Sequence, residues 1–171
     1  GHDNMEILTC VLKGAISHKD SMGNAGDIKS GEWQLMSAGT GVRHSEINQY
    51  DEDVHLFQIW IIPNVKDAEP TYQQIQLDPK DAPNQWHLIA GPNENAPMHL
   101  RQDAEVKTAV LEAGQSLDVN KTQTFNYIHV VEGEVEIAGQ TVKTGDALMF
   151  DENSTVKANQ NTQMIWFDLP R

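Results

Sequence analysis

Short apolar segments in which every second side chain is hydrophobic dominate this sequence. A period of two is the pattern of β-strands with one buried face. In the segment 134–137, for example, charged and apolar residues strictly alternate. Comparable segments, bounded by Gly, Asn and Asp turns, are predicted as strands at 7–12, 54–62, 106–111, 127–131 and 164–167. Since no stretch keeps the spacing of a long amphipathic helix, we predict an all-β fold with one helical turn after Pro79.

Composition narrows the class of protein. The 171 residues are 39% hydrophobic and 22% charged, as in an ordinary globular protein. A net charge of -13 argues against sequence-independent binding to nucleic acid, and no apolar run reaches the roughly 20 residues of a membrane helix. The single cysteine, Cys10, excludes an internal disulfide and favours a reducing compartment, so we predict a cytoplasmic protein without a membrane or direct nucleic-acid partner.

A pattern of strands and glycine turns occurs twice. Gly14 and Gly31 in the first copy correspond to Gly133 and Gly145 in the second. We therefore predict two copies of one β-barrel unit: an N-terminal barrel over 1–65 and a second barrel over 98–171. The proline-rich stretch 66–97 is predicted as the crossover linker.

One short segment carries candidate metal ligands. Gly39 and Gly41 predict a sharp turn, after which His44 and Glu46, two residues apart in a strand, share one face. His2 leads into a strand of the same predicted barrel. If the two strands are neighbours, two imidazoles and a carboxylate converge, a set that suits a divalent transition metal.

Spacing alone leaves other interpretations open for these residues. A His-x-Glu pair in a strand is commonly a solvated polar pair, and Gly-His at a chain start is familiar as a cloning remnant or a frayed end. Outside this set, we expect His18 on a hairpin surface. We also expect the indole of Trp60 to pack inside the barrel, and no metal ligands in the second barrel.

Longer strings identify the sequence by resemblance. The stretches "GHDNMEILTCVLKGAISHKDSMGNAG", "SAGTGVRHSEIN" and "VVEGEVEIAGQ" strongly resemble the pirin family of bicupins. The resemblance implies two tandem cupin barrels of the jelly-roll type, with one metal, usually iron, held in the N-terminal barrel by three His and one Glu. Some members resemble quercetin 2,3-dioxygenase in activity, and an animal relative is a nuclear transcriptional co-regulator.

The resemblance also assigns ligands. It implies that His2 is the second histidine of the family's His-x-His motif and that His44 and Glu46 form the later His-x-Glu pair. The first histidine would precede His2 and fall outside the chain, so we expect an N-terminal barrel that is truncated and a metal that is weakly bound or absent. Glu6 matches the acidic residue of the general cupin motif, and we expect it either to support the metal ligands from outside or to be a neighbouring polar anchor.

Two functions follow as hypotheses from the resemblance. The first is a dioxygenase with Fe(II), which cleaves a small aromatic substrate, such as the flavonol quercetin, with O2. In that function Glu46 would be both metal ligand and the base that accepts the substrate's hydroxyl proton. The alternative is a non-enzymatic iron-binding regulator that binds a protein partner according to the redox state of the metal.

Overall fold

The structure is a computed structural model that describes residues 1–120 and 124–170. Within this part of the chain, β-strands predominate and the one helical segment is a 3-10 turn, Pro79–Asp81, at the place predicted from the sequence. No helix in these two ranges has the length and apolar character that a membrane crossing requires. The prediction of an all-β fold is therefore confirmed.

The strands of the described residues are, in chain order, β1 Glu6–Lys13, β2 Ala15–Asp20, β3 Ala25–Lys29, β4 Glu32–Ser37, β5 His44–Ile47, β6 His55–Ile61, β7 Thr71–Gln76, β8 His87–Gly91, β9 Met98–His99, β10 Glu105–Leu111, β11 Ser116–Val119, β12 Phe125–Glu132, β13 Glu134–Ile137, β14 Gln140–Lys143, β15 Ala147–Phe150, β16 Ser154–Ala158 and β17 Thr162–Leu169. They form two compact units. Unit 1 comprises Gly1–Leu77 and Pro97–Gln102, and unit 2 comprises Asp78–Ala96 and the chain from Asp103 onward.

Unit 1 contains two antiparallel sheets. One has the strand order β6-β1-β4-β7, and the other has the order β3-β2-β5. Val11 of β1 packs with Ile16 of β2 and Ile28 of β3, so one apolar cluster joins the two sheets. Burial of these branched side chains stabilises the unit, at about 25 cal/mol for each Å² of apolar surface removed from water.

Unit 2 is also built from two antiparallel sheets. Strands β15-β12-β17-β10-β8 form the first, and β11-β16-β13-β14 form the second. Side chains of both sheets meet in one core cluster, in which Ile128, Val156 and Trp166 are at most 2% exposed. The alternation predicted for β13 is present, because Val135 and Ile137 are buried in this core while Glu134 and Glu136 are not.

The glycines of the predicted repeat occupy equivalent turns. Gly14 connects β1 to β2 and Gly133 connects β12 to β13, with φ values of +75° and +117°. Gly31 precedes β4 and Gly145 precedes β15, and both have a φ of +84°. Residues with a side chain rarely adopt such values, which explains why glycine recurs at these four places.

The predicted crossover contains more regular structure than its prolines indicate. Within 66–97 lie β7, the 3-10 turn and β8. Strand β7 pairs with β4 in unit 1, and β8 pairs with β10 in unit 2. The chain therefore passes from unit 1 to unit 2 after Leu77, inside the predicted linker, and Pro97–Gln102, at the start of the predicted second barrel, belong to unit 1.

The close packing of Gly133, in the turn between β12 and β13, can be tested by substitution. A Cβ atom at Gly133 would lie 2.3 Å from the hydroxyl of Thr162 and 2.6 Å from the carbonyl oxygen of Asn161. Gly133→Ala is expected to lower the free energy of unfolding by about 3 kcal/mol or more, from the clash and the left-handed backbone together.

Gly139→Ala is the matched control, because Gly139 also has a positive φ, +76°, but no atom lies within 4 Å of its added Cβ. It should cost only about 1 kcal/mol. Urea denaturation measures both values, and equal losses for the two variants would contradict the role assigned to the close packing at Gly133.

Candidate metal centre

The pairing of β2 with β5 brings four ionisable side chains to one face of a sheet. His18 lies directly opposite Glu46, and Asp20 lies directly opposite His44. Opposed residues of an antiparallel pair share a face, and so do residues two apart along a strand. The i, i+2 spacing of each pair therefore places both histidines and both carboxylates together.

His2 reaches the same place through a separate backbone contact. Its N–H donates to the carbonyl oxygen of Val42 at 2.8 Å, and the N–H of Val42 donates to the carbonyl oxygen of His2 at 2.9 Å. This bridge brings Nε2 of His2 to 3.0 Å from Nε2 of His44. Glu46 lies on the other side of His44, with its Oε1 3.6 Å from Nδ1 of that ring. The three residues predicted as ligands are thus neighbours, but His2 and Glu46 face opposite nitrogens of His44.

His18 corrects the sequence interpretation. Its prediction as a surface residue is wrong, because the side chain is only 2% exposed. Nε2 of His18 lies 2.8 Å from Oδ2 of Asp20, and Nδ1 lies 3.8 Å from Oε1 of Glu46. The string His18-Lys19-Asp20 has the same alternation as His44-Ser45-Glu46, and that repeated spacing is the signal that could have identified it.

Neighbouring groups hold the two carboxylates of this cluster. The backbone N–H groups of Met22 and Asn24 donate to Oδ1 of Asp20 at 2.9 and 3.1 Å. The amide Nε2 of Gln58 donates to Oε2 of Glu46 at 3.2 Å. One oxygen of each carboxylate therefore accepts a hydrogen bond from an amide N–H, which limits the rotation of the carboxylate.

Three buried atoms converge without a hydrogen-bond partner among the described residues: Nδ1 of His18, Nδ1 of His44 and Oε1 of Glu46. The side chains of His18, His44 and Glu46 each place one potential ligand atom within 4.8 Å of those of the other two. Burying polar atoms without partners costs free energy, unless an ion, a proton or water satisfies them. Two imidazoles and one carboxylate are a suitable donor set for a divalent transition metal, so the residues present fit the metal that the resemblance implies.

Electrostatics differ between the two histidines of the cluster. Burial lowers the pKa of His44, and the charges of His2 and His18 act in the same direction against the carboxylate of Glu46. His44 is accordingly neutral at pH 7, as a metal ligand must be. Burial also disfavours the protonated form of His18, but interactions with Glu46 and Asp20 outweigh it and raise the pKa of His18. The pocket between those carboxylates therefore favours positive charge.

Glu6 lies at the beginning of β1 and is 1% exposed. Its Oε1 accepts hydrogen bonds from the hydroxyl of Ser37 at 3.0 Å and from the backbone N–H of Arg101 at 2.8 Å. Burial raises the pKa of this carboxyl, although both hydrogen bonds oppose the shift. These contacts are those of a polar anchor between β1, β4 and the segment at Arg101.

An open cleft of about 620 Å³ lies beside the chain start, and His2 is one of the residues that line it. Its walls include Asp3, Thr40 and Arg43, so it is polar on the side of the chain start.

The edge of Trp60 meets the ring of His2 with centroids 5.0 Å apart. The prediction that this indole packs inside the barrel is wrong, since Trp60 is 54% exposed. Gln58 and Trp60, two residues apart in β6, lie on the same face of the strand, and both are exposed.

The described residues of unit 2 offer no comparable cluster. Among its described residues, no three His, Cys, Asp or Glu side chains lie close enough to hold one ion. His129 of β12 is half-buried, and burial lowers its pKa.

Comparison with known proteins gives the same family for both halves of the chain. Residues 1–61 match the sequence profile of the family described as Pirin, and residues 88–169 match the one described as the quercetinase C-terminal cupin domain. The chain is 39% identical to a quercetin 2,3-dioxygenase of Escherichia coli strain K12, over 99% of this chain and 74% of that protein. It is 32% identical to a pirin-like protein of Caulobacter vibrioides, over 98% of this chain and 74% of that protein.

Solved structures agree with these sequence matches. The crystal structure of the bacterial pirin YhhW from Escherichia coli, in complex with nickel(II), superposes with a TM-score of 0.91 at 35% identity, and the match covers 99% of this chain and 74% of that one. A structure of GK1651 from Geobacillus kaustophilus, 24% identical, superposes with a TM-score of 0.85 over 99% of this chain and 76% of that one. The cupin architecture expected from the resemblance is confirmed, with each unit formed by two sheets.

The buried carboxyl of Glu6 predicts a pH-dependent stability. Because its pKa is raised in the folded state, the folded state is favoured when Glu6 is protonated, and stability is lost as pH rises from the unfolded value through the raised one. The side chain in Glu6→Gln cannot ionise and escapes this loss. The free energy of unfolding of Glu6→Gln should therefore increase, relative to that of the unmodified protein, as the pH rises from 4 to 8.

Glu136 is the control for this prediction, because its pKa is shifted in the opposite direction. Hydrogen bonds from Thr141 and Asn159 lower the pKa of Glu136, so the stability that this carboxylate contributes is present at neutral pH and lost in acid. Glu136→Gln should therefore lose stability relative to the unmodified protein as pH rises. Urea denaturation at several pH values measures both differences, and parallel behaviour of the two variants would contradict the assignment for Glu6.

Proposed function

The chain belongs to the pirin family of bicupins, and from that premise we propose that it is a metal-dependent dioxygenase acting on a small aromatic substrate. The observation that carries the proposal is the set of three buried polar atoms that converge without partners in unit 1. A flavonol such as quercetin is the proposed substrate, because several relatives are named quercetin 2,3-dioxygenases.

The proposed centre contains His44, Glu46 and a second imidazole. The family resemblance assigns that imidazole to His2. We propose Fe(II) as the metal, because two histidines and one carboxylate with open positions are the ligand set of non-haem iron oxygenases. Nickel is the ion named for the YhhW relative, and the same donors accept it. When bound, the metal would supply the Lewis acidity and redox chemistry by which O2 reacts with the substrate.

Glu46 is the proposed general base. Its Oε1 points toward the two histidines, while Gln58 holds its Oε2 at 3.2 Å. A proton taken from a hydroxyl of the substrate would be held on Oε1, which has no hydrogen-bond partner among the described residues, provided that the carboxylate shifts so that this oxygen is not bound to the metal. Protonation there would relieve the cost of a buried carboxylate oxygen without a donor.

The cleft at His2 is the proposed entrance for the substrate. Its volume of about 620 Å³ is within the range of small-molecule sites. Trp60 offers an exposed aromatic surface next to His2, and the indole N–H donates to Oε1 of Gln58 at 3.1 Å, which fixes its orientation. A flat aromatic molecule would gain about 1 kcal/mol by stacking on such a ring.

The chemical proposal predicts oxygen uptake. With quercetin and added Fe(II), the protein should consume O2 faster than free Fe(II) does, and His44→Ala should lower that rate at least about 100-fold by loss of a ligand. His55→Ala is the control, since His55 is exposed on β6. An oxygen electrode measures the rates, and emission spectroscopy measures the bound metal. Equal metal in the protein and in His44→Ala would remove His44 from the site.

A regulatory function is the second candidate, and the exposed apolar surface of unit 1 favours it. Trp60 and Ile62 are 54% and 73% exposed, and large exposed apolar side chains in a group are typical of protein-binding surfaces. An iron-binding regulator would bind metal in the same assay without oxygen uptake and would retain a stoichiometric protein partner. Metal binding without turnover of quercetin would therefore favour this function over the dioxygenase.

Trp60 provides a separate test of the substrate class. Trp60→Leu should raise KM for quercetin about 5- to 10-fold and change kcat little, because stacking contributes to binding rather than to the reaction. Trp60→Phe, which keeps an aromatic face, should restore most of the affinity. Steady-state oxygen uptake measures both parameters, and an unchanged KM in Trp60→Leu would exclude the indole from the binding surface.

A further inference from the structure

We infer that Gln58 is a positioning residue of the metal centre: its amide holds the carboxylate of Glu46 in the orientation that metal binding and proton transfer both need. The inference rests on the proposed function, in which Glu46 is both ligand and base. It adds a residue of β6, a strand that supplies none of the proposed ligands.

The amide of Gln58 connects the two sheets of unit 1. Gln58 lies on β6 of the sheet β6-β1-β4-β7, whereas Glu46 lies on β5 of the sheet β3-β2-β5. Nε2 of Gln58 donates to Oε2 of Glu46 at 3.2 Å. Because β6 pairs with β1, the strand that His2 leads into, this contact ties the carboxylate to the part of the chain that carries His2.

Both ends of the amide have partners, and these partners fix its direction. Nε2 also donates to Oγ1 of Thr9, the residue opposite in β1, at 3.4 Å, and Oε1 accepts the indole N–H of Trp60 at 3.1 Å. An indole nitrogen donates but does not accept, so the oxygen of the amide faces Trp60 and the NH2 group faces Glu46. Gln58 therefore presents a donor, and not an acceptor, to the carboxylate.

Holding one carboxylate oxygen leaves the other free to change its partner. Oε1 of Glu46 is buried, has no hydrogen-bond partner among the described residues and lies 3.6 Å from Nδ1 of His44. The two roles of Glu46 require its carboxylate to shift. With Oε2 held by Gln58, that shift is a rotation about the held oxygen and not a movement of the whole side chain. The restriction matters because a misplacement of about 1 Å can slow a reaction about 100-fold.

Gln58 makes these contacts without filling the core. The residue is exposed, so replacing its side chain leaves no buried cavity. The competing explanation is that the amide only braces β6 against β5. A brace contributes to the stability of the metal-free protein, whereas a positioning residue also changes how tightly the protein binds a cation and how fast it turns over a substrate.

Gln58→Met tests the donor, because methionine keeps the length of the side chain but cannot donate to Glu46. The affinity for Ni(II), measured by calorimetry, should fall about 10-fold, as is usual when a metal ligand loses an outer partner. With quercetin and Fe(II), kcat should fall about 10-fold and KM should change little, because the amide acts on the carboxylate and not on the surface where the substrate stacks. A rise in KM with unchanged Ni(II) affinity would overturn the inference.

Gln74→Met is the matched control. Gln74 is an exposed glutamine on β7 of the same sheet, and its Nε2 donates to Oε2 of Glu32 at 3.1 Å. The substitution removes a hydrogen bond between an amide and a carboxylate that is not a proposed ligand, so Ni(II) affinity and kcat should both stay unchanged. Equal losses in Gln74→Met and Gln58→Met would contradict the role assigned to Gln58.

Zinc titration of the ¹⁵N-labelled, unmodified protein gives a readout that does not depend on the folding of a variant. Zn(II) is diamagnetic, so the side-chain NH2 resonances of assigned glutamines can be followed to saturation. We expect those of Gln58 to shift, because the carboxylate that they contact joins the metal centre, and those of Gln74 to stay in place. Unchanged Gln58 resonances in the zinc-saturated protein would overturn the inference. Thermal unfolding of the metal-free variants checks that both fold.

The outcomes also separate this inference from the proposed function. Ni(II) binding that is as tight in Gln58→Met as in the unmodified protein overturns the inference and leaves the metal centre standing. An unmodified protein that binds neither Zn(II) nor Ni(II) overturns both. Weaker Ni(II) binding in Gln58→Met, together with a shift of the Gln58 resonances on zinc binding, supports the inference whether or not quercetin is turned over.

Discussion

The antiparallel pairing of β2 with β5 is the constraint on which the candidate site depends. Its register sets His18 opposite Glu46 and Asp20 opposite His44. A slip of one residue would turn one strand's pair to the other face, because side chains alternate along a strand. Backbone hydrogen bonds that specify register therefore also specify which polar atoms meet.

Some polar atoms of the site's side chains have hydrogen-bond partners around the site, whereas the atoms that face its interior have none among the described residues. Asp20 forms a hydrogen bond with Nε2 of His18, and Gln58 donates one to Oε2 of Glu46. The other polar atom of His18 and of Glu46 is buried and faces the other side chain. Such an arrangement costs stability when nothing occupies it, since buried polar atoms lose their hydrogen bonds to water. A cation would recover that cost, which links the stability of unit 1 to metal binding.

The fold was largely predictable because its signals are local. Alternation identified the strands, and the glycines at 14 and 133 identified equivalent turns whose positive φ excludes most side chains. The predicted linker was less accurate, because prolines mark strand ends as well as connections and β7 and β8 lie within it. The exposure of Trp60 was mispredicted for a different reason: the sequence does not show which face of β6 is left uncovered in the fold.

Local spacing by itself determined that His44 and Glu46 share a face and that the fold is all-β, whereas the pirin family was identified by the resemblance of longer strings. The burial of His18 beside Glu46 was decided only by the tertiary structure. His18 and Asp20 have the same spacing as the recognised pair, but sequence does not show whether the face they share is buried or which strand lies beside it. Likewise, the sequence places His2 near the site, whereas only the folded chain determines which nitrogen of His44 it faces. The physical reason is that periodicity acts within one strand, while the direction of a ring nitrogen depends on contacts between residues distant in sequence.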